Sequence, residues 1–274
     1  MESTKVLFVS QEITPYLPES KMSLIGRNLP QGIQERGKEI RTFMPKFGCI
    51  NERRNQLHEV IRLSGMNLII NDTDHPLIIK VASIQAARMQ VYFIDNEDYF
   101  YRKFVLRDEN GKMFIDNDER AVFFARGVIE TVRKLRWSPD IIHCHGWFTG
   151  LVPLFVKTLF EDDPLFLNSK LIYSVYSDEF KGNLDKGFKK KVMGDGVPGS
   201  KLELMDEPNF VNINKLAIDN SDAVVIASGK INKTIDDYIK TTKTSYLEYK
   251  ESEDYIDTYS EFYDKLLETV DETV

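Results

Sequence analysis

Lys5-Val6-Leu7-Phe8-Val9-Ser10 opens the chain as a short apolar run, and the polar turn Gln11-Glu12 follows it directly. The same pattern returns in the middle of the chain, where Ile141-Ile142-His143-Cys144-His145 runs into Gly146-Trp147. Each run predicts a buried β-strand that ends at a turn and leads into a helix. In an open α/β sheet, ligands bind where strand ends meet helix starts, so both turns are candidate walls of a binding site.

The rest of the chain continues this alternation. Apolar residues spaced three and four apart predict helices over residues 22–36, 118–135, 147–160, 211–218, 230–239 and 255–270. Further apolar runs predict strands over residues 39–44, 140–144, 171–176 and 223–228. Strands that alternate with helices predict a parallel sheet covered on both faces, so we expect a Rossmann-like, doubly wound α/β fold.

One segment departs from this pattern. Residues 57–63, 66–70, 77–84 and 88–94 read as four short strands, with turn residues at 64–65 and 71–74. They predict a β-hairpin insertion around residues 57–95. Residues 178–200 are rich in glycine and lysine and predict an exposed loop with a partial helix. Within the first helix, Pro30 predicts a kink or a split, because proline removes a backbone donor.

Composition limits the classes of function. The 274 residues carry a net charge of −7, which argues against nonspecific binding of nucleic acid, since neutralising phosphates needs a basic face. The longest apolar runs are too short to span a bilayer, so no membrane segment is expected. The N-terminus shows no charged-then-apolar leader. Two cysteines, at 49 and 144, fit no metal or redox spacing. A cytoplasmic protein with reduced thiols is the expectation.

Several motifs in order carry a resemblance to a known family. They occupy residues 10–15, 29–30, 37–41, 44–47, 116–120, 139–153 and 213–228. Together they resemble the N-terminal catalytic domain of bacterial glycogen synthases and plant starch synthases, glycosyltransferases of family 5 with the two-domain GT-B fold. The resemblance covers roughly residues 5–240. It implies a single GT-B half that takes part in glucosyl transfer from ADP-glucose to an α-1,4-glucan, with ADP-glucose as donor substrate and no further cofactor.

Two departures from the family pattern concern the donor. The family's glycine-rich opening loop with its lysine is replaced by residues 18–24, which contain no glycine. There Glu19 would repel a phosphate, and Lys21 stands three positions from the family's lysine. Phe148 replaces a family histidine that would point at the donor glucose. Because glycine lets the backbone approach a phosphate closely, these changes weaken the expected grip on the nucleotide.

The family's second Rossmann domain, on which the nucleotide mainly binds, finds no counterpart in these residues. The stretch 259–267 nevertheless resembles the family's closing helix, which packs back on the first domain. We therefore predict a synthase-like domain over residues 1–250 and a returning helix over residues 251–274. The aromatic stripe of that helix predicts core packing, with partner binding as the alternative.

The central strand supplies three candidate site residues. His145 is a candidate catalytic residue, and His143 and Trp147 are candidate substrate-binding residues that could form a wall against a sugar. The alternatives are a buried, hydrogen-bonded His143 and a Trp147 that only seals the start of the helix. No metal site is predicted, because Cys144 faces the opposite side from the two histidines.

By resemblance, Asp116 is a second candidate catalytic residue, and Asn117 and Arg120 are candidate substrate-binding residues. The alternatives are N-capping by Asp116 or Asn117 and a surface ion pair for Arg120.

Glu12 and Lys21 complete the candidate substrate-binding set, against a turn role for Glu12 and a solvated Lys21. The lysines at 186 and 189–191 read as a solvated loop, or as a docking site for an acidic partner.

Two functions remain open. The first is a synthase-type glucosyltransferase domain, inactive alone, which needs a separate nucleotide-binding subunit. The second is a non-catalytic protein of glycogen metabolism that binds α-glucan or a partner enzyme. A different small-ligand binder that reuses the same cleft is a third, weaker option.

Overall fold

The computed structural model describes residues 3–251 and 254–268. The strands are β1 (Lys5–Ser10), β2 (Glu39–Pro45), β3 (His58–Glu59), β4 (Met66–Ile70), β5 (Thr73–Ile84), β6 (Met89–Asp95), β7 (Ile141–His145), β8 (Lys170–Val175), β9 (Ala223–Ile226) and β10 (Ser245–Leu247). The α-helices are α1 (Lys21–Glu35), α2 (Glu97–Phe100), α3 (Asn117–Leu135), α4 (Leu151–Thr158), α5 (Phe188–Gly194), α6 (Phe210–Asp219), α7 (Lys233–Thr241) and α8 (Tyr255–Glu268). Within these ranges, no helix combines the length and the apolar character that crossing a membrane requires.

The strands form one sheet in the order β10-β9-β8-β7-β1-β2-β6-β5-β3, with β4 paired to β5. Neighbours from β10 to β6 are parallel, whereas β5 is antiparallel to β6, β3 and β4. The predicted parallel sheet is thus confirmed. The chain moves outward from β1 to β2 and β6, then returns through α3 to β7 on the other side of β1. The β1–β7 pair is therefore the topological switch point, where an open α/β sheet forms its ligand crevice.

Helices cover both faces of the sheet. On one face α1 and α8 pack together so closely that a Cβ added at Gly32 would lie 2.5 Å from Cγ2 of Ile256. On the other face Tyr173 of β8 donates a hydrogen bond of 2.8 Å to Asn214 of α6. Buried side chains from both layers form the core, which explains why β1 and β7 are continuous apolar runs.

Helix α1 does not split at Pro30. Its start is fixed by Ser20, whose side chain accepts a hydrogen bond from the Ser23 N–H while the Ser23 hydroxyl accepts one from the Ser20 N–H. Leu29, Pro30 and Ile33 are buried against the sheet. This packing offsets the helical hydrogen bond that proline removes, a loss of about 3 kcal/mol. The predicted split is therefore wrong.

The insertion is smaller than predicted. Asn71 and Asp72 both have positive φ, and they form a two-residue hairpin turn, so β5 begins already at Thr73. Only His58–Glu59 of the predicted strand 57–63 pairs with a neighbour. Strand β6 belongs to the parallel part of the sheet, so the insertion ends before Met89.

Other boundaries differ locally. The predicted helix 147–160 consists of a 3₁₀ turn, Trp147–Thr149, and then α4, whose first turn accommodates Pro153. Helix α7 begins at Lys233 because the Asn232 side chain accepts a hydrogen bond from the Thr234 N–H. The short strand β10 was not predicted. The predicted helix 255–270 reaches Glu268, and its last two residues lie outside the described residues. The division of the chain at residue 250 stays a prediction.

Candidate functional site

A crevice lies at the switch point of the sheet. Gln11 and Glu12 follow β1, Trp147 follows β7, and residues 177–180 follow β8, and all of them line a cavity of about 580 Å³. The segment 104–113 forms the opposite wall. The crevice therefore stands where the two sequence motifs predicted a binding site.

The lining of the crevice is acidic. The described residues that line it include a single basic side chain, Arg107, and five carboxylic acids: Glu12, Asp108, Glu109, Asp178 and Glu179. Glu12 accepts a hydrogen bond of 2.7 Å from the hydroxyl of Ser20, the residue that caps α1. This lining favours a ligand with many hydroxyl donors over a ligand with negative charge.

Aromatic rings complete the walls. Phe104 is 44% exposed although it is a large apolar side chain. Trp147 is buried, and its ring lies 4.8 Å from that of Phe180, centroid to centroid. The crevice thus places flat apolar faces beside hydrogen-bonding groups. This lining is complementary to a sugar ring, which has apolar C–H faces and a polar edge.

Asp178 is the most perturbed titratable group of the crevice. Both of its carboxylate oxygens are buried, and neither meets the geometry of a hydrogen bond to the described residues. Burial raises the pKa of Asp178 to about 7, and the nearby backbone N–H groups of Asp178 and Trp147 offset only part of this rise. A carboxyl group that exchanges its proton near neutral pH marks a candidate functional position.

The α3 start lies beneath the 104–113 wall and supports it. Asp116 forms two hydrogen bonds with Arg102, at 2.6 and 2.5 Å, and its side chain makes no capping bond. The Asn117 amide donates to the carbonyl of Leu106 at 2.8 Å. Neither side chain lines the crevice, and N-capping by Asp116 is excluded by its pairing with Arg102.

Arg120 is completely buried. Its Nε donates to the carbonyl of Tyr99 at 2.8 Å, and its Nη1 donates to the Asn117 side chain at 2.6 Å. Burial lowers the pKa of Arg120 to about 9, and nearby Asp116 opposes this change. The surface ion pair considered for Arg120 is therefore wrong, and the residue holds Asn117 in place.

His143 and His145 lie under α8, side by side, with ring centroids 4.0 Å apart. His143 is hydrogen-bonded to Tyr263 and to Ser174, and His145 Nδ1 is hydrogen-bonded to the Tyr176 hydroxyl at 2.9 Å. Burial lowers the pKa of His145 to about 3 and that of His143 well below 6.5. Both imidazoles are thus neutral, and neither lines the crevice.

Lys21 stands at the first turn of α1 beside a second cavity, where its ammonium group lies 3.6 Å from the ring centroid of Tyr249.

Of the eight predicted site residues, the structure brings two together in the crevice, Glu12 and Trp147. Among the residues described, no cluster of His, Cys, Asp and Glu side chains could hold a metal ion.

Sequence reasoning missed Phe104 and Asp178. The rule that sites form beyond strand ends could have indicated Asp178, which stands three residues after β8. No local pattern marks Phe104, because its position in the crevice depends on how the 104–113 segment folds back on α3.

Comparison with known proteins agrees with these motifs. The family model described as starch synthase catalytic domain matches residues 5–243. Glycogen synthase of Chlorobium limicola is 36% identical over 208 residues, which cover 76% of this chain and 42% of that protein. Glycogen synthase of Chlorobaculum tepidum is 36% identical over 228 residues, which cover 82% of this chain and 46% of that protein.

A solved structure shares the fold. It is the catalytic domain of starch synthase IV from Arabidopsis thaliana bound to ADP and acarbose, with a TM-score of 0.72 at 16% identity, over 90% of this chain and 51% of that chain. The chain spans less than half the length of the two glycogen synthases. The expected resemblance is confirmed, and the chain belongs to the starch synthase catalytic domain family.

Proposed function

We propose that this chain supplies the glucan-binding half of a synthase-type glucosyltransferase, in which glucose passes from ADP-glucose to the end of an α-1,4-glucan. The observation that carries the proposal is the acidic, aromatic crevice at the switch point of the sheet. Support also comes from the family, and from the neighbouring starch synthase structure, which was bound to ADP and acarbose.

The crevice residues would act by binding and orienting the acceptor. The carboxylates of Glu12 and Glu179 can accept hydrogen bonds from sugar hydroxyls. The exposed ring of Phe104 can pack against the apolar face of a sugar ring. Holding the acceptor hydroxyl in one geometry is the contribution to rate that such a wall can make.

The same lining disfavours the donor diphosphate. At about 8 Å, and with an effective dielectric constant of about 20, each carboxylate repels a phosphate charge by about 2 kcal/mol. We infer that a nucleotide-binding unit outside these 274 residues, in a longer chain or in a separate subunit, binds the ADP portion. The predicted catalytic roles of Asp116 and His145 do not enter this proposal, since neither side chain lines the crevice.

Affinity electrophoresis in gels that contain glycogen tests the proposal. The purified chain should be retarded, and Phe104→Ala should be retarded less, because Phe104 is an exposed wall of the crevice. Tyr101→Ala is the matched control, since Tyr101 is 68% exposed just before this segment and does not line the crevice. Absence of retardation of the unmodified chain, or equal retardation of Phe104→Ala, contradicts the proposal.

A second candidate function is non-catalytic glucan binding, and the acidity of the crevice favours it for the chain alone. Incubation with labelled ADP-glucose and glycogen separates the two functions. The chain alone should incorporate no label. If the chain is half of an enzyme, addition of a nucleotide-binding unit should start the incorporation of labelled glucose into glycogen. If the chain only binds glucan, incorporation should stay at zero.

A further inference from the structure

A second cavity of about 450 Å³ lies beside the crevice. It is enclosed by the first half of α1, by α8, and by the residues that end β9 and β10. Ser20 connects the two sites. It directly precedes Lys21 of the cavity, and its hydroxyl donates a hydrogen bond to Glu12 of the crevice. Both therefore open along the carboxyl edge of the sheet, on either side of the start of α1.

The interior of this cavity is apolar and aromatic. Leu24, Ile25 and Ile226 form an aliphatic surface, and Tyr249, Tyr255 and Tyr259 present rings to the same space. Tyr255 and Tyr259 meet edge to face with ring centroids 6.0 Å apart. The Tyr249 ring packs over Gly229, where an added Cβ would lie 3.0 Å from its Cε1. The rings are thus held in place before any ligand arrives.

Polar groups surround this interior, and their charges balance. The charged side chains among the described lining residues are Lys21, Lys250, Glu248 and Glu251, so the formal charge sums to zero. Uncharged hydrogen-bonding groups, Asn28 and Thr258, lie between them. Because two carboxylates stand with the two ammonium groups, the described lining has no net charge that would favour an anion such as a nucleoside diphosphate.

We propose that this cavity is a second carbohydrate site, which binds uncharged pyranose units of an α-glucan outside the crevice. An apolar interior with a polar margin matches the apolar faces and hydroxylated edge of a pyranose, and the volume lies within the range of small-ligand pockets. The ligand class rests on the proposed function, but the residues of the cavity are separate from those of the crevice. Two sites on one edge would hold one glucan at two points and raise its effective concentration at the crevice.

Calorimetric titration with maltotriose tests this assignment. The unmodified chain should bind maltotriose at two sites. Leu24→Trp should remove one of them, because Leu24 is 38% exposed on α1 and a larger ring there fills the cavity at little cost to folding. Tyr249→Ala should weaken the same site about tenfold by removing a stacking face. Tyr246→Ala is the control, since Tyr246 is 37% exposed nearby and does not line the cavity.

Phe104→Ala distinguishes the two proposals, because it changes only the crevice. A single site that Phe104→Ala weakens and Leu24→Trp leaves intact overturns the second site and keeps the proposed function. A single site with the opposite response keeps the second site and overturns the crevice. Binding of adenosine that Leu24→Trp abolishes, without binding of maltotriose there, overturns the carbohydrate assignment.

Discussion

The hydroxyl of Tyr263 lies 2.5 Å from Nδ1 of His143, and this hydrogen bond joins the last helix to the central strand. The other ring nitrogen of His143 lies 2.7 Å from the hydroxyl of Ser174 on β8. Tyr263, His143 and Ser174 are all buried. Helix α8 is therefore held by a polar contact inside the core as well as by its aromatic packing.

Tyr263→Phe keeps the packing of the ring but removes the hydroxyl. A nitrogen of His143 then stays buried without a partner, so the free energy of unfolding should fall by about 1–3 kcal/mol in urea denaturation. Tyr238→Phe is the control, because its hydroxyl donates to Asp219 at the exposed surface and its loss should cost less than about 1 kcal/mol. Equal losses in the two variants would contradict a buried anchor.

The neutral state of the two histidines predicts a pH dependence. In the unfolded chain an imidazole takes up a proton near pH 6.5, whereas burial lowers the pKa of His145 to about 3 and that of His143 well below 6.5. Their contribution to stability is therefore complete above pH 6.5, and it is lost as the pH falls toward 3, by up to about 1.4 kcal/mol per pH unit for each ring.

Nuclear magnetic resonance can observe this directly. The imidazole C–H signals of His143 and His145 should keep the neutral position down to pH 5 in the folded protein. The urea-unfolded chain is the control, and its imidazoles should titrate near pH 6.5. A transition near pH 6.5 in the folded protein would show that solvent reaches these rings.

Lys191, which the sequence assigned to a solvated loop, should make a large contribution to the stability of the fold. Its ammonium group lies 2.7 Å from Asp118, 2.8 Å from Glu119 and 3.3 Å from Asp185, and Asp118 is fully buried. Lys191→Met should therefore lower the free energy of unfolding by about 3–5 kcal/mol at pH 8, because it leaves a buried carboxylate without its partner.

The neighbouring Lys190 is exposed, so Lys190→Met serves as the control and should change stability by less than about 0.5 kcal/mol. At pH 5 the loss in Lys191→Met should shrink, because burial raises the pKa of Asp118 to about 6 despite the opposing Lys191. Similar values for the two variants at pH 8 would contradict the buried ion-pair cluster.

The sequence predicted most of the elements of the parallel sheet, because a buried parallel strand is a continuous apolar run that needs no distant partner to be recognised. It predicted poorly where the outcome depends on distant contacts. The local sequence around His143 does not show whether a ligand or α8 covers its side chain, because its partner Tyr263 is 120 residues away. Lys191 resembles its exposed neighbours until α5 packs beside α3.

The same reason explains the site residues. Glu12 and Trp147 line the crevice, because strand ends fix their position whatever the loops do, and their roles in substrate binding stay predictions. Asn117 and Arg120 matched a family motif, but the residues that surround them, Tyr99 and Leu106, come from a segment whose path the sequence pattern did not show.

Asn117 should influence ligand binding through the 104–113 wall. Asn117→Ala removes the hydrogen bond to the Leu106 carbonyl and the acceptor for Arg120, so it should cost about 1–3 kcal/mol of stability. Amide hydrogen exchange in residues 104–113 should speed up, and retardation in glycogen gels should decrease along with it. Asn110→Ala, at the exposed tip of the same segment, is the control.

A direct contact between Asn117 and glucan would give a different result. Retardation would then decrease in Asn117→Ala while hydrogen exchange of residues 104–113 stayed at the rate of the unmodified chain.

Asp178 combines the crevice with a pH dependence of stability. Its pKa in the folded chain, about 7, lies above its usual value of 3.8, so the folded state binds the extra proton between these values. The stability that this carboxyl group contributes is complete below about pH 3.8 and is lost as the pH rises through 7.

Asp178→Asn removes this dependence, since an amide stays neutral. Its free energy of unfolding relative to the unmodified chain should therefore rise from pH 4 to pH 7, by up to about 1.4 kcal/mol per pH unit, and stay level above. Urea denaturation across pH 4.5 to 8.5 measures the difference, with Glu179→Gln as the control for loss of an exposed carboxylate from the same segment. A difference that does not change with pH would show that water reaches the Asp178 carboxylate.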